Sequence, residues 1–363
     1  MNRLNGPFVK AAVSGCGYGE VVSSPRRRAT LKDVAAATGL SSAAVSYALR
    51  GLHVPQETQA RVRAAARDLG YEVNPVARAL AGGRSGTVGV LCGSLEDLWQ
   101  QTMAVSLSVA LLAQGRYAIV TEASGDLHRE ARLVRELSER QVDGVIAFPL
   151  DPTSEHWADL ASRTPVVAMG DALVGAPGSS SVVFDNAAGI GSGLRHLAGL
   201  GHRNVVLLTP SLPQTPGRPA DRLARDHATI LGLRLRLVAC PASVAGTADV
   251  VAPLLADPDG PRAVFCLSDS MAYGVYLAAQ RLGVVVPGDL SVLGYDDHQM
   301  SVLVAPPLTT FAWDADGIVG AAVDQLVRLM DTWDSDGGAA HAAVTFEPTL
   351  ISRASTAAPR PGR

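Results

Sequence analysis

Residues 30–51 read TLKDVAAATGLSSAAVSYALRG, and this stretch decides the fold of the N-terminal part of the chain. Thr30 and Asp33 have the spacing of a capping box, which predicts that a helix begins here. Gly39 can end that helix with a left-handed backbone, and one of the two serines that follow, Ser41 or Ser42, can cap a second helix. The stretch therefore predicts two short helices that meet across a tight turn.

A third helix is predicted after Pro55, with Val62, Ala65, Ala66 and Leu69 as its buried stripe. Three helices in about forty residues can bury only a small core. A helix-turn-helix that reads DNA explains such a compact unit, because its second helix lies in the major groove and its first helix crosses the backbone.

The second helix has two predicted sides. Val45 and Leu49 stand four residues apart and are expected to face the first helix. The capping residues Thr30 and Ser41 are further candidates for contact with DNA. The candidates on the opposite side of the second helix are Ser42, Ala43, Ser46, Tyr47 and Arg50. Any small α-hairpin can imitate this pattern, so a helical pair without DNA binding stays open as the alternative.

The charge of the chain is distributed unevenly. Residues 26–84 carry ten basic and four acidic side chains, although the whole chain has a formal net charge of −3. A basic head joined to an acidic body predicts a small unit that binds a polyanion. Ordinary scatter of charge is the alternative.

The composition sets the class of protein. At 363 residues, 47% hydrophobic and 18% charged, the chain predicts two or three globular units. No apolar run reaches the length of a membrane span. The four cysteines lie far apart, which disfavours a disulfide framework or a zinc site and favours a reducing, cytoplasmic location. Val13–Cys16 has a weak likeness to a lipoprotein cleavage box; the other interpretation is a disordered N-terminal extension.

Beyond residue 86 the pattern is that of an α/β protein. Continuous apolar runs of strand length alternate with segments of helix length, which predicts parallel sheets covered on both faces. About 280 residues exceed one open sheet, so two doubly wound lobes around a ligand cleft are expected. The predicted strands are Val88–Leu91, Ala118–Val120, Gly144–Phe148, Val166–Met169, Val205–Leu208, Ala263–Leu267 and Ser291–Gly294.

Enzyme motifs are missing from the sequence. It contains no phosphate-binding loop of the Walker type, no complete dinucleotide fingerprint, no nucleophile elbow and no pair of histidines at zinc spacing. The glycines at 189, 191 and 193 follow Asp185 in a predicted helix start, where packing explains them. We expect no enzyme activity, cofactor or metal. A doubly wound enzyme, or a solute-binding protein, with an incidental helical head is the alternative.

The head resembles the DNA-binding domain of the LacI/GalR family of bacterial transcription regulators, through residues 30–51 and through RVRAAARDLGYEVNPVARALAGG at 61–83. The resemblance implies a hinge helix that enters the minor groove, with Leu80 as a wedge between base pairs and with Asn74, Ala77 and Arg78 as its neighbours. Alternatively, Leu80 begins the next core. Tyr47 stands where the family usually has arginine, which leaves the base preference there open.

The body is similar to the sensor domain of the same family, through residues 131–148, 183–186, 196–208, 265–297 and 306–311. That domain resembles a periplasmic sugar-binding protein, which implies a small polar effector, expected to be a sugar, in the cleft. The matching effector positions are Asp171, Arg222, Ser268, Asp269 and Asp296, with Trp99 and Trp313 as candidate stacking rings. Asp269 can instead cap a helix, and both tryptophans can be core. The residues after Arg222, and the short loop at 92–97, depart from the family pattern.

The expected protein is a homodimeric repressor that binds a palindromic double-stranded operator and responds to the effector. The predicted organisation is a disordered extension at 1–28, a helix-turn-helix domain at 29–73, a hinge helix and linker at 74–85, a two-lobed effector-binding domain at 86–353 and a flexible tail at 354–363.

Overall fold

The computed structural model describes residues 29–52, 54–71, 84–210, 219–336 and 343–360. The chain divides into two compact units after residue 78. We call residues 29–71 the head and residues 84–360 the body. The extension predicted at 1–28 and the hinge residues 74–83 lie outside the described part of the chain.

The head consists of three helices, α1 (Leu31–Thr38), α2 (Ser42–Arg50) and α3 (Gln56–Asp68). The predicted capping box of α1 is confirmed, since Thr30 and Asp33 bond reciprocally. Gly39 ends α1 with φ 65°, a left-handed conformation that glycine adopts without strain. Ser41, and not Ser42, caps α2, because its hydroxyl accepts from the amide of Ala44 at 3.2 Å.

A small apolar core holds the head together. It consists of Val34, Ala35, Val45, Ala48, Val62 and Ala66, all less than 9% exposed. The prediction of Leu69 as a buried residue is wrong, because it follows the end of α3 and is 42% exposed. Tyr71, two residues further on, packs against this core instead.

The body contains twelve short strands among its described residues. They are β1 (Thr87–Cys92), β2 (Tyr117–Glu122), β3 (Gly144–Ala147), β4 (Val166–Gly170), β5 (Ser179–Phe184), β6 (Asn204–Pro210), β7 (Arg234–Cys240), β8 (Ala263–Cys266), β9 (Ser291–Leu293), β10 (Thr310–Ala312), β11 (Val344–Phe346) and β12 (Thr349–Ile351). Its helices are α4 (Leu98–Ala113), α5 (Leu127–Glu139), α6 (Glu155–Ala161), α7 (Asn186–Gly199), α8 (Pro219–Ile230), α9 (Val244–Ala256), α10 (Asp269–Leu282) and α11 (Ala315–Asp336), with a short 3₁₀ turn at Gln299–Val302.

Lobe 1 is built on a six-stranded parallel sheet in the order β11-β5-β4-β3-β1-β2. Helices α4 and α11 bury one face of this sheet, where Leu107 and Leu326 are fully covered. Helices α5 and α6 bury the other face around Leu137 and Trp157. Both faces are therefore apolar, as the continuous strand sequences predict.

Lobe 2 is built on a four-stranded parallel sheet in the order β7-β6-β8-β9. Helices α9 and α10 cover one face and α7 and α8 the other. Helix α7 packs so closely that a Cβ atom at Gly193 would lie 2.5 Å from the ring of Phe265. The glycines at 189, 191 and 193 thus serve packing, as predicted.

The chain passes between the lobes three times, after β5, after β10 and after β11. Asp185 marks the first passage, where its amide donates to the carbonyl of Phe346 from the third passage at 2.8 Å. Strand β12 then pairs with β10 in an antiparallel ribbon. Each lobe is therefore assembled from segments that are far apart in the sequence.

The segment from Ala354 onward corrects a prediction. We expected a flexible tail, but Ser355 is fully buried in lobe 2, where its hydroxyl donates to the carbonyl of Val292 and accepts from the amide of Thr309 at 2.8 Å. The amide of Ala357 donates to Ser291 at 3.0 Å. The segment consists of small and hydroxyl-bearing residues, so its sequence has no apolar run that predicts burial. Ser355 nevertheless forms the hydrogen bonds that the backbone of Val292 in β9 requires.

Candidate nucleic-acid interface and ligand cleft

The outer side of α2 is accessible over the residues predicted to contact DNA. Ser42, Ala43 and Arg50 are exposed, Ser46 is half-buried and Tyr47 is 47% exposed. Val45 on the opposite side is fully buried and Leu49 packs against the same core. The predicted two sides of the helix are therefore those of the structure.

The capping residues have partners within the head. The Thr30 hydroxyl donates to Asp33 Oδ2 at 2.7 Å, and Ser41 accepts from Ala44. Both side chains are exposed, so a phosphate contact stays a prediction for each. The hinge candidates Asn74, Ala77, Arg78 and Leu80 lie outside the described residues.

The two lobes of the body meet at the carboxyl ends of their sheets, beside the start of α4. The amide of Leu98 in lobe 1 donates to the hydroxyl of Ser270 in lobe 2 at 3.2 Å. The Leu98 side chain packs against the apolar cluster of lobe 2. Asp97 caps α4 by accepting from the amides of Trp99 and Gln100 at 2.9 and 3.4 Å. We call this region the cleft.

The Asp269 side chain is buried in lobe 2 and accepts four hydrogen bonds. Its Oδ1 accepts from the amide of Tyr295 at 2.9 Å and from the hydroxyl of Thr310 at 2.6 Å. Its Oδ2 accepts from the amide of His298 at 2.9 Å and from the hydroxyl of Ser301. Each oxygen has two donors, which fills its two lone pairs. Asp269 does not cap α10, because Ser268 is its N-cap, and its four bonds instead tie α10 to the residues after β9, to the 3₁₀ turn and to β10. Burial raises its pKa to about 6, against the effect of the four donors.

Asp296 is half-buried at the end of β9, in a left-handed conformation with φ 113°. Burial, and then the carboxylates of Asp97 and Asp269, raise the pKa of Asp296 well above its usual range, while a hydrogen bond with the Trp313 side chain opposes the rise. Burial also raises the pKa of Asp97. The carboxyl oxygens of Asp97 and Asp296 can accept hydrogen bonds from hydroxyl groups, which suits a hydroxylated ligand.

Aromatic side chains connect the two lobes beside these carboxyl groups. Trp99 packs edge-on against Phe184 at 5.1 Å between ring centroids, and Phe184 lies 5.2 Å from Trp313. Trp313 in turn lies 5.7 Å from Tyr295 of lobe 2. Both tryptophans are half-buried and belong to the edge of the lobe 1 core. Both tryptophans therefore pack against the core, and a role in stacking on the effector stays a prediction for each.

The other predicted effector residues are dispersed. Ser268 is buried and caps α10 by accepting from the amide of Met271 at 3.3 Å. Asp171 is exposed just after β4, and Arg222 is exposed near the start of α8. The structure thus groups Ser268, Asp269, Asp296 and Trp313, and places Asp171 and Arg222 at other strand and helix ends.

Sequence reasoning missed Asp97 and Ser270 as parts of the cleft. Asp97 carries a usable signal, because an aspartate just before an apolar helix is a typical N-cap. Ser270 carries none, since its contact with Leu98 depends on the approach of residues 172 positions apart.

Two family models match the chain. Residues 30–74 match the model of bacterial regulatory proteins of the lacI family, and residues 194–356 match that of the periplasmic binding protein-like domain. The ribose operon repressor of Escherichia coli (strain K12) is 30% identical over 83% of this chain and 92% of its own length. The chain belongs to the LacI family. It is a DNA-binding transcriptional regulator with a helix-turn-helix head.

Further relatives are similar to this LacI-family protein over most of its length. The HTH-type transcriptional regulator GntR of Pseudomonas aeruginosa (strain ATCC 15692 / PAO1) is 32% identical over 84% of this chain and 90% of its own length. The crystal structure of the lac repressor dimer bound to operator and the anti-inducer ONPF superposes with a TM-score of 0.79, at 26% identity, over 92% of this chain and all of that one. These relatives are regulators of transcription.

The described residues contain neither a membrane-spanning helix nor a cluster of metal-binding side chains. No helix among them is long and apolar enough to cross a bilayer. Within the same ranges no group of three or more histidine, cysteine, aspartate or glutamate side chains could hold a metal ion.

Proposed function

We propose that this regulator is a repressor that binds a two-fold symmetric operator as a homodimer. We propose further that a small hydroxylated ligand of the sugar class binds in the cleft and lowers or raises the affinity for the operator. The observation that carries the proposal is the contact of the two lobes at the cleft, where the amide of Leu98, next to Asp97, donates to the hydroxyl of Ser270 at 3.2 Å. A ligand bound there contacts both lobes and is therefore sensitive to the angle between them.

The proposed ligand contacts differ in role. Asp296 and Asp97 exchange hydrogen bonds with hydroxyl groups, and Trp313 and Trp99 offer ring surfaces for the apolar face of a sugar. Ser268, Asp171 and Arg222 are peripheral contacts, whereas Asp269 positions the residues after β9 and the 3₁₀ turn. Relatives support this class, because they include a ribose operon repressor and a family member crystallised with ribose.

The proposed DNA contacts follow from the accessible side of α2. Ser42, Ala43 and Tyr47 meet base edges, and Ser46 and Arg50 meet bases or phosphates. Thr30 and Ser41 contact the backbone. The wedge role of Leu80 rests on the family resemblance alone. Because the partner is double-stranded chromosomal DNA, we propose a cytoplasmic location.

An exposed apolar stripe on α4 supports a second copy of the chain as partner. Val105, Val109 and Leu112 are 64%, 65% and 56% exposed and stand at i, i+4 and i+7, hence on one face. Leu282 and Val285 add exposed apolar surface in lobe 2. Exposed apolar groups in a row mark interaction surfaces, and a two-fold dimer doubles the base contacts of one short helix.

The experiment uses the full chain. Binding-site selection gives an operator, and fluorescence anisotropy on it is then measured with ribose, lactose or adenosine present. We expect one sugar to raise the melting temperature and to change operator affinity by about 5- to 150-fold, the range of a coupling of roughly 1–3 kcal/mol.

Asp296→Asn separates the ligand response from DNA binding. The variant should bind the operator with unchanged affinity and lose the response to the sugar. If no sugar or nucleoside alters either the melting temperature or operator affinity, the proposed ligand class is wrong. If Asp296→Asn responds like the parent, the cleft is not the site.

A further inference from the structure

A groove on the outer surface of lobe 1 lies between α5 and α6. It has a volume of about 610 Å³, within the range of roughly 300–1,000 Å³ that small-molecule sites occupy. None of the residues that form the cleft lines it. The groove is therefore a separate feature of the body.

The rim of the groove is basic, although the body as a whole is acidic. Arg132, Arg135 and Arg163 line it together with two histidines, against the carboxylates of Glu139 and Asp159. Arg163 pairs with Asp159 only loosely, at 3.9 Å, with both side chains mostly exposed. Arg163 also donates from Nε to the carbonyl oxygen of Asp159 at 3.3 Å. An exposed pair of this kind contributes little, so the terminal nitrogens of Arg163 can still reach another anion.

Two arginines of the rim have no carboxylate within 4 Å among the described residues. They are Arg132 and Arg135, which stand three apart on α5 and are both exposed. Arg129 on the same helix differs, because it pairs with Glu122 at 3.5 Å and donates to Ser124 at 3.0 Å. Residues three apart share a helix face, so the two guanidinium groups can converge on one ligand.

The floor and one wall of the groove are fixed by the core. Val134 and Leu160 are buried and Ala131 is half-buried, which gives an apolar floor. His156 on the wall donates from Nε2 to Oε1 of Glu130 at 3.0 Å. Glu130 is fully buried, and its Oε2 accepts from the amide of Leu150 at 2.7 Å. The buried carboxylate thus holds the imidazole ring in place.

We propose that this groove is a second ligand site, for a small organic phosphate such as a nucleoside monophosphate. Arg132 and Arg135 bind the phosphoryl oxygens, because guanidinium groups match phosphate with paired hydrogen bonds. The apolar floor takes the base or another apolar body. Helix α6 has seven residues, about 10 Å at 1.5 Å per residue, so the groove fits a small molecule better than an extended peptide.

The test is isothermal titration of the full chain with adenosine monophosphate, adenosine and inorganic phosphate. We expect adenosine monophosphate to bind more tightly than phosphate, and adenosine to give no signal. The double variant Arg132→Gln with Arg135→Gln should weaken binding about tenfold or more, since two charge-assisted hydrogen bonds are lost.

The matched control removes Arg129 of α5 and Arg140 at the C-terminal end of that helix, neither of which lines the groove. Arg129→Gln with Arg140→Gln should keep the affinity for adenosine monophosphate within about twofold, because charges that do not touch the ligand are screened by salt. Arg50→Gln tests the basic head in the same way. If the groove variant unfolds, Arg163→Gln replaces it, with a smaller loss expected.

Three results would each overturn the proposal. The first is a dissociation constant above about 1 mM for adenosine monophosphate. The second is an equal loss in the groove and control variants, which would show general attraction to arginine. The third is a loss confined to Arg50→Gln or to Asp296→Asn, which would place the ligand in the head or in the cleft. The first two results leave the sugar response untouched, so the two proposals can fail separately, whereas a loss confined to Asp296→Asn would also bear on the ligand class proposed for the cleft.

Discussion

The head and the body arrange their working side chains in opposite ways. In the head, nine consecutive residues of α2 supply both the core contacts and the accessible side. In the body, the cleft combines Asp97, Asp269, Asp296 and Trp313, which come from four segments and are half-buried or buried. The head therefore depends on one short helix remaining folded, whereas the cleft depends on the relative placement of two lobes.

The apolar cores of the head and the body also differ, in size and in the side chains that form them. The head buries six valine and alanine side chains, and its helices need caps to form. The body buries four large clusters of aliphatic and aromatic side chains. A substitution that lowers the free energy of unfolding by a given amount should consequently unfold the head but only lower the stability of the body. The following variants test that contrast.

The largest effect is expected from Val45→Asp. Val45 is fully buried in the head core, and an unpaired carboxylate there costs several kcal/mol. Operator binding, measured by anisotropy, should fall below detection while the melting temperature of the body stays unchanged. Ala60→Asp places the same charge on an exposed position of α3 and should retain specific binding. Retained binding by Val45→Asp would mean that this core is unnecessary.

The next effect is expected from Asp269→Asn. The amide keeps one acceptor but presents an NH₂ group to donors, which should destabilise the body by about 2–4 kcal/mol. The measurement is denaturant unfolding of the full chain, with the exposed Asp226→Asn as control. Unchanged stability together with a lost sugar response would instead make Asp269 a ligand contact.

A smaller, pH-dependent effect is expected from Asp296→Asn. Because the pKa of Asp296 is raised in the folded state, the native protein binds more protons than the unfolded chain, and stability falls as pH rises above about 4. The variant lacks this loss, so its melting temperature should equal that of the parent at pH 4 and exceed it by about 3 °C at pH 8. A difference that shrinks with rising pH would contradict the raised pKa.

The smallest effect is expected from Thr30→Ala. The Asp33 amide lies 3.4 Å from the Thr30 hydroxyl, a long contact, so the loss should be near the lower end for caps, about 0.5 kcal/mol. Hydrogen exchange of α1 amides would detect it, with Thr30→Ser as the variant that restores the cap. A loss as large as that of Val45→Asp would show that the head has almost no reserve of stability.

Local patterns explain what the sequence could predict. The caps at Thr30 and Ser41, the two sides of α2 and the apolar parallel strands all depend on neighbours in the chain, and the structure has them. Strand β7, whose sequence alternates arginine and leucine at its start, was not predicted, because an edge strand lacks the continuous apolar run of the central ones.

Contacts between distant segments explain what the sequence could not predict. The saturation of Asp269 needs donors from the residues after β9, from the 3₁₀ turn and from β10. The approach of Leu98 to Ser270 and the burial of Ser355 need the completed lobes. Only the tertiary arrangement decides whether a polar residue at a strand end binds a ligand or holds the fold.

The late return of the chain to both lobes has a consequence for synthesis on the ribosome. Strand β11 completes the sheet of lobe 1 beside β5, and Ser355 and Ala357 close the backbone of β9 in lobe 2. A nascent chain that has emerged only to residue 340 has neither closure and leaves both lobe edges open to chaperones and proteases. The apolar core of the head is formed by side chains between residues 31 and 71, so the head can fold much earlier in translation.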